Sequence, residues 1–96
     1  METEQSQLRF AALIMKEDGI FTALCLDVDV ASQGATAEEA KTNLGEAVSL
    51  YVESAIESNL PIVRPVPREA NPLNTCPHEV IETFTINVDV HIDAYA

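Results

Sequence analysis

Gln33-Gly34-Ala35-Thr36-Ala37-Glu38-Glu39-Ala40, continuing through Leu44, Ala47, Val48, Tyr51 and Val52, is the stretch that decides the fold. The Thr36 hydroxyl is placed to cap a helix N-terminus, and Glu39, three residues on, to reach back to the cap backbone, so the pair predicts a capping box. Ala37, Ala40, Leu44, Ala47, Val48, Tyr51 and Ala55 follow at steps of three or four and share one helical face. Asn59, which tolerates the left-handed conformation, and Pro61, which cannot continue a helix, predict a stop near Ser58. Gly45 inside the helix costs about 1 kcal/mol relative to Ala. It marks either a close approach to the sheet or a tolerated surface glycine. The apolar face needs a sheet to cover.

Toward the N-terminus, Leu8 to Met15 is almost wholly apolar and ends at Lys16-Glu17-Asp18-Gly19, where Asp-Gly signals a tight turn. Ile20 to Leu26 is a second apolar run, so the two predict a β-hairpin. Leu8, Phe10, Ala12 and Ile14 share one face of the first strand, and Phe21, Ala23 and Cys25 one face of the second. Leu13, Met15, Ile20, Leu24 and Leu26 make the opposite faces apolar as well. Asp27-Val28-Asp29-Val30 then leads through Ala31-Ser32-Gln33-Gly34, a short third strand or extended connection, to the helix cap.

Toward the C-terminus, residues 61–78 contain all five prolines and read as an extended surface crossing whose Ile62, Val63, Val66 and Leu73 lie against the domain. Beyond it Phe84, Ile86, Val88, Val90, Ile92 and Ala94 alternate with Thr85, Asn87, Asp89, His91, Asp93 and Tyr95, the period of a long strand over 83–94.

The order β-β-β-α-β predicts one α+β domain over residues 1–96, with an antiparallel-dominated sheet of three or four strands and one helix packed on one face. The polar segment 1–7 is expected to be frayed. With only one face covered, the doubly apolar hairpin and the long final strand predict a homodimer or higher homo-oligomer.

Five basic residues against sixteen acidic ones give a net charge of −11. That charge repels a phosphate backbone and disfavours direct nucleic-acid binding, while it speeds encounter with a basic protein. Its other reading is simple solubility. No apolar run reaches the roughly 18 residues of a membrane span, and the N-terminus has no signal-peptide pattern, so a cytoplasmic protein is expected.

Chemistry offers few candidates. Asp89, His91 and Asp93 share one strand face and either converge on a metal or merely solvate a half-exposed strand. Asp27 and Asp29 either hold a divalent ion or end a strand, and Glu17 and Asp18 fall at the other end of the sheet. His78 lies in the crossing with no nucleophile nearby. Cys25 and Cys76 lack metal or redox spacing and read as free thiols unless the crossing lies over the second strand. No cofactor motif is present, and no catalytic constellation rises above this background.

The succession Glu17-Asp18-Gly19-Ile20-Phe21 with Ala23 and Cys25, then Ser32-Gln33-Gly34, Thr36, Glu38-Glu39-Ala40, Asn43-Leu44, Glu46-Ala47 and Leu50-Tyr51 resembles the HicB-like antitoxin family over residues 8 to 57. The resemblance implies a partial ribonuclease-H-like fold. It further implies a non-catalytic partner of a small basic mRNA-cleaving toxin, HicA, which such proteins inhibit by covering its active site. In this frame Gly19, Ser32, Gln33, Gly34, Thr36, Glu38, Glu39, Ala40, Asn43 and Leu44 are the motif scaffold, and Glu17, Asp18, Asp27 and Asp29 are candidate partner contacts. Two departures stand out. After the helix there is only a crossing and one strand, where many members add a DNA-binding domain. The family's Pro-Asp-Leu-Pro-Gly type of turn is replaced by Leu26-Asp27-Val28-Asp29-Val30, in which only Asp27 matches. Alternatives to an antitoxin are an orphan oligomeric regulatory domain of the same fold and, by fold analogy alone, a metal-dependent nuclease acting through Asp27 and Asp29.

Overall fold

Asp18 and Gly19 both take positive φ, 51° and 79°, the left-handed pair that a two-residue type I′ hairpin demands. Their turn folds Glu2–Glu17 (β1) back onto Ile20–Cys25 (β2). A second reversal, with Asp29 at φ 49°, brings Val30–Gly34 (β3) alongside β2. Ala37–Glu57 forms the main helix, α1. The proline-rich stretch carries a 3-10 turn at Arg68–Ala70, the short helix Pro72–Thr75 (α2) and a second 3-10 turn at Pro77–Glu79. Val80–Ala94 (β4) follows. This structure, a computed structural model, describes the backbone of residues 2–94 and the side chains of residues 7–90.

The sheet is antiparallel throughout, in the order β3-β2-β1-β4, with α1 against one face. The α+β expectation is met. Phe10, Ala12, Ile14, Ala23, Cys25, Ile86, Val88 and Val90 meet Ala40, Leu44, Val48 and Val52 of the helix in one buried cluster. Val28 joins them from the β2–β3 turn and is fully buried. In β4 the alternation read from sequence holds from Thr85 to Val90, with even positions buried and odd positions exposed.

Three expectations need correction. Residues 1–7 were expected to fray, yet β1 begins at Glu2, and its polar start is aligned from Glu2 with Ala94 to Gln7 with Asp89. A long alternating strand supplies backbone partners whatever the side chains opposite, so polarity alone is a poor guide to pairing. Met1 lies outside the described residues. The final strand likewise starts at Val80, ahead of residue 83.

The second correction concerns the face away from α1, which is not left bare. Arg64 and Val66 donate backbone N–H bonds, both of 2.9 Å, to the carbonyls of Asp27 and Leu26. Leu73 stands beside Ala11, Leu26, Thr83 and Thr85 around a small cavity on this face. Leu13, whose place in β1 alternates with the helix-facing Ala12 and Ile14, is also fully buried. The crossing therefore covers part of the second apolar face, and that part gives no reason for self-association.

The third is local. The Thr36 hydroxyl accepts the Glu39 N–H at 3.1 Å, but no return bond from Glu39 to the Thr36 amide forms among the described residues. The box is half made. At the other end Asn59 has φ 55°, the left-handed stop expected after Ser58.

Candidate partner-binding surface

The β3–α1 junction explains the motif residues one by one. A Cβ on Gly34 would stand 2.6 Å from the backbone nitrogen of Ala40 and 2.9 Å from Glu39 Cβ, so only glycine fits. Asn43 Nδ2 donates to the Gln33 carbonyl at 2.9 Å and fastens the second turn of α1 to the end of β3. Ala40 and Leu44 are fully buried. Ser32 pairs with Ala23 in the β2–β3 ladder, and Gly19 supplies the hairpin turn. Glu38 approaches Lys41 at 3.8 Å. Each of these residues has a place in the fold, and Glu38 and Glu39 are among those that also face solvent.

The four candidate contact carboxylates are not brought together. Glu17 and Asp18 are exposed at the β1–β2 turn, while Asp27 and Asp29 lie at the β2–β3 turn at the other end of β2. Asp27 is committed internally: its carboxylate accepts the Ala11 N–H at 2.7 Å, and its carbonyl accepts Arg64. Asp29 is exposed. Asp89 accepts a 3.3 Å bond from Gln7 Nε2 across the strand pair. The side chains of His91 and Asp93 lie outside the described residues. Among the described residues no three His, Cys, Asp or Glu side chains gather as metal ligands.

Both cysteines are free thiols, Cys25 buried and Cys76 half-buried. Burial pushes the Cys25 thiol above its ordinary range, against backbone hydrogen bonds at Asp27 and Val28 that lower it. It stays protonated and unreactive near neutrality. His78 is exposed on the Pro77–Glu79 turn.

What the sequence reading missed is the outer side of α1. Glu39, Glu46 and Glu53 recur every seven residues and Glu57 lies one turn past Glu53, so the four form a single stripe along the helix. All four are exposed. Their spacing of seven, seven and four residues is itself legible in the sequence. The basic residues lie elsewhere. Lys41 is held by Glu82 and Glu38 and sits 5.3 Å from the centre of the Phe84 ring; the hydrogen bond to Glu82 raises its pKa first of all. Lys16 lies over the Phe21 ring at 5.3 Å. Arg9 is exposed on β1, and Arg64 and Arg68 on the crossing. A uniformly acidic ridge on a rigid element attracts a basic surface and repels nucleic acid.

No protein-family model, curated protein or solved structure matches the chain. No helix among the described residues is long and apolar enough to cross a membrane.

Proposed function

We propose that this chain is a HicB-like antitoxin, a binding module that neutralises a small basic mRNA-cleaving toxin by masking it and performs no catalysis itself. The observation that carries the reading is the exposed stripe Glu39, Glu46, Glu53 and Glu57 on α1, within a chain of net charge −11. Steering between opposite charges raises association rates, and a charge pair placed at the rim of an interface fixes orientation more than affinity. The motif resemblance over residues 8 to 57 supports the same reading independently of charge. In this scheme Glu17 and Asp18, exposed at the hairpin end, are secondary contacts, and Asp29 is another. Asp27 holds the fold and leaves contact to its neighbours.

An orphan regulatory domain of the same fold is the second reading. It is favoured by the turn Leu26 to Val30, which departs from the family pattern and buries Val28 in the core. Co-expression with the product of the small reading frame adjacent to its own, whatever that frame encodes, separates the two. The antitoxin reading expects growth to be restored and the two chains to co-purify. A neighbour that is neither toxic nor retained by this chain overturns it.

A further inference from the structure

The open edge of β4 carries an inference independent of any toxin. In the order β3-β2-β1-β4 the two sheet edges are β3, five residues long, and β4, fifteen. Ala11 turns its N–H to Asp27 and its carbonyl to Leu26, both away from β4. In an antiparallel ladder its partner Thr85 then turns its own backbone groups away from β1. The same parity applies to Thr83, Asn87 and Asp89. Among the described residues a row of donors and acceptors without partners thus faces outward along β4, and of Thr83, Thr85, Asn87 and Asp89 only Asp89 carries a formal charge. Such an edge templates another strand.

We infer that β4 pairs antiparallel with β4 of a second copy of this chain, about a two-fold axis through Asn87, to make one continuous eight-stranded sheet. Three observations select this occupant and register. Asn87 is the midpoint of Val80–Ala94, so the axis there pairs the whole strand with its copy. It opposes Thr85 with Asp89 of the second copy and Ile86 with Val88, giving Asp89 a hydroxyl neighbour and continuing the apolar layer. An axis through Asp89 would instead set two carboxylates face to face, which destabilises a strand pair. Finally, a shallow groove of about 600 Å³ lined by Thr42, Gly45, Ser49, Leu50, Ile86 and Asn87 opens beside the axis. Leu50 there is 64% exposed, and a Cβ on Gly45 would meet nothing within 4 Å. Pairing at Asn87 brings each copy's Leu50 groove to the other across the axis. Glu46 also lines the groove and is exposed, and with −11 on each copy the dimer tightens as salt rises, opposite to a complex with a basic protein.

Sedimentation of the full chain at micromolar concentration tests this. The expected species has twice the 10.4 kDa chain mass. Asn87→Pro removes an outward N–H and leaves the β1–β4 ladder intact, so it gives a folded monomer. Asn87→Cys, made in a Cys76→Ser background, is the second arm. Its two thiols lie on the axis at the roughly 5.5 Å Cα separation of a hydrogen-bonded pair, within disulfide range, and oxidation yields a covalent dimer. Thr85→Cys and Asp89→Cys, each facing the other position, do not cross-link. A wild-type monomer, an Asn87→Pro dimer, or cross-linking at Thr85→Cys in preference to Asn87→Cys overturns the inference. So does an edge that pairs only when a basic protein is added.

Discussion

The amide N–H of Ala11 donates to the carboxylate of Asp27 at 2.7 Å, one step beyond the last β1–β2 residue pair, Ala12 with Cys25. There the Asp27 side chain takes the place of one of the two backbone bonds of the ladder. The Leu26 N–H returns to the Ala11 carbonyl at 2.8 Å and completes the exchange. The bond holds the turn that buries Val28 and receives the crossing at Arg64.

Asp27→Ala therefore removes an exposed main-chain to carboxylate hydrogen bond and is expected to cost about 0.5–1.5 kcal/mol. Asp29→Asn, exposed and in a left-handed conformation that asparagine tolerates, should change stability by no more than about 0.5 kcal/mol. Urea unfolding of the two variants checks the contrast. Equal losses would mean that the turn, and not the Asp27 bond, holds the segment.

Gly34→Ala places a methyl group 2.6 Å from the Ala40 nitrogen, which is backbone and cannot step aside as a side chain does. Displacing the helix start is expected to cost about 1–3 kcal/mol. The midpoint of thermal unfolding should fall accordingly, and an unchanged midpoint would contradict the close approach.

Leu13→Ala reports on the crossing. Leu13 is fully buried on the face away from α1, and its truncation is expected to cost about 2–5 kcal/mol. Leu60→Ala, at a side chain 61% exposed, should stay within about 0.5 kcal/mol. Chemical denaturation of both variants decides whether residues 64–79 seal that face. A near-neutral Leu13→Ala would mean that they do not.

Much of this architecture is legible in the residues. Asp18-Gly19 specifies the hairpin turn, Thr36 and Asn59 bracket the helix, and the alternation of β4 is plain. Less legible is what depends on partners distant in sequence. The polar start of β1 becomes a strand because β4 reaches it, and no local pattern announces that. The proline-rich crossing hides its role because its contacts with the sheet are two backbone bonds and a few apolar side chains, without period. The candidate site was harder still. Asp27 matches the family turn, yet its carboxylate serves the fold. The acidic stripe of α1 sits on the face that a core-seeking reading sets aside.

Cys25 gives a pH dependence. Its folded-state pKa is raised by burial above the ordinary 9.0, so the unfolded chain loses the proton first as pH rises. The stability from the neutral buried thiol is fully present below the ordinary value and declines from there up through the folded pKa. Cys25→Ala should remove that part of the alkaline loss. In the folded protein at pH 8 a thiol reagent should modify Cys76 well before Cys25; equal rates would contradict the burial.

The central claim is that the Glu39, Glu46, Glu53 and Glu57 stripe receives a basic protein. Calorimetric titration of the full chain with the product of the small reading frame adjacent to its own, across a salt series, tests that directly. Binding is expected to weaken as salt rises, and Glu39→Lys, Glu46→Lys and Glu53→Lys together should weaken it by about 100-fold or more, each reversed pair now repelling. No binding, or a triple variant that binds as tightly as the native chain, would contradict the claim.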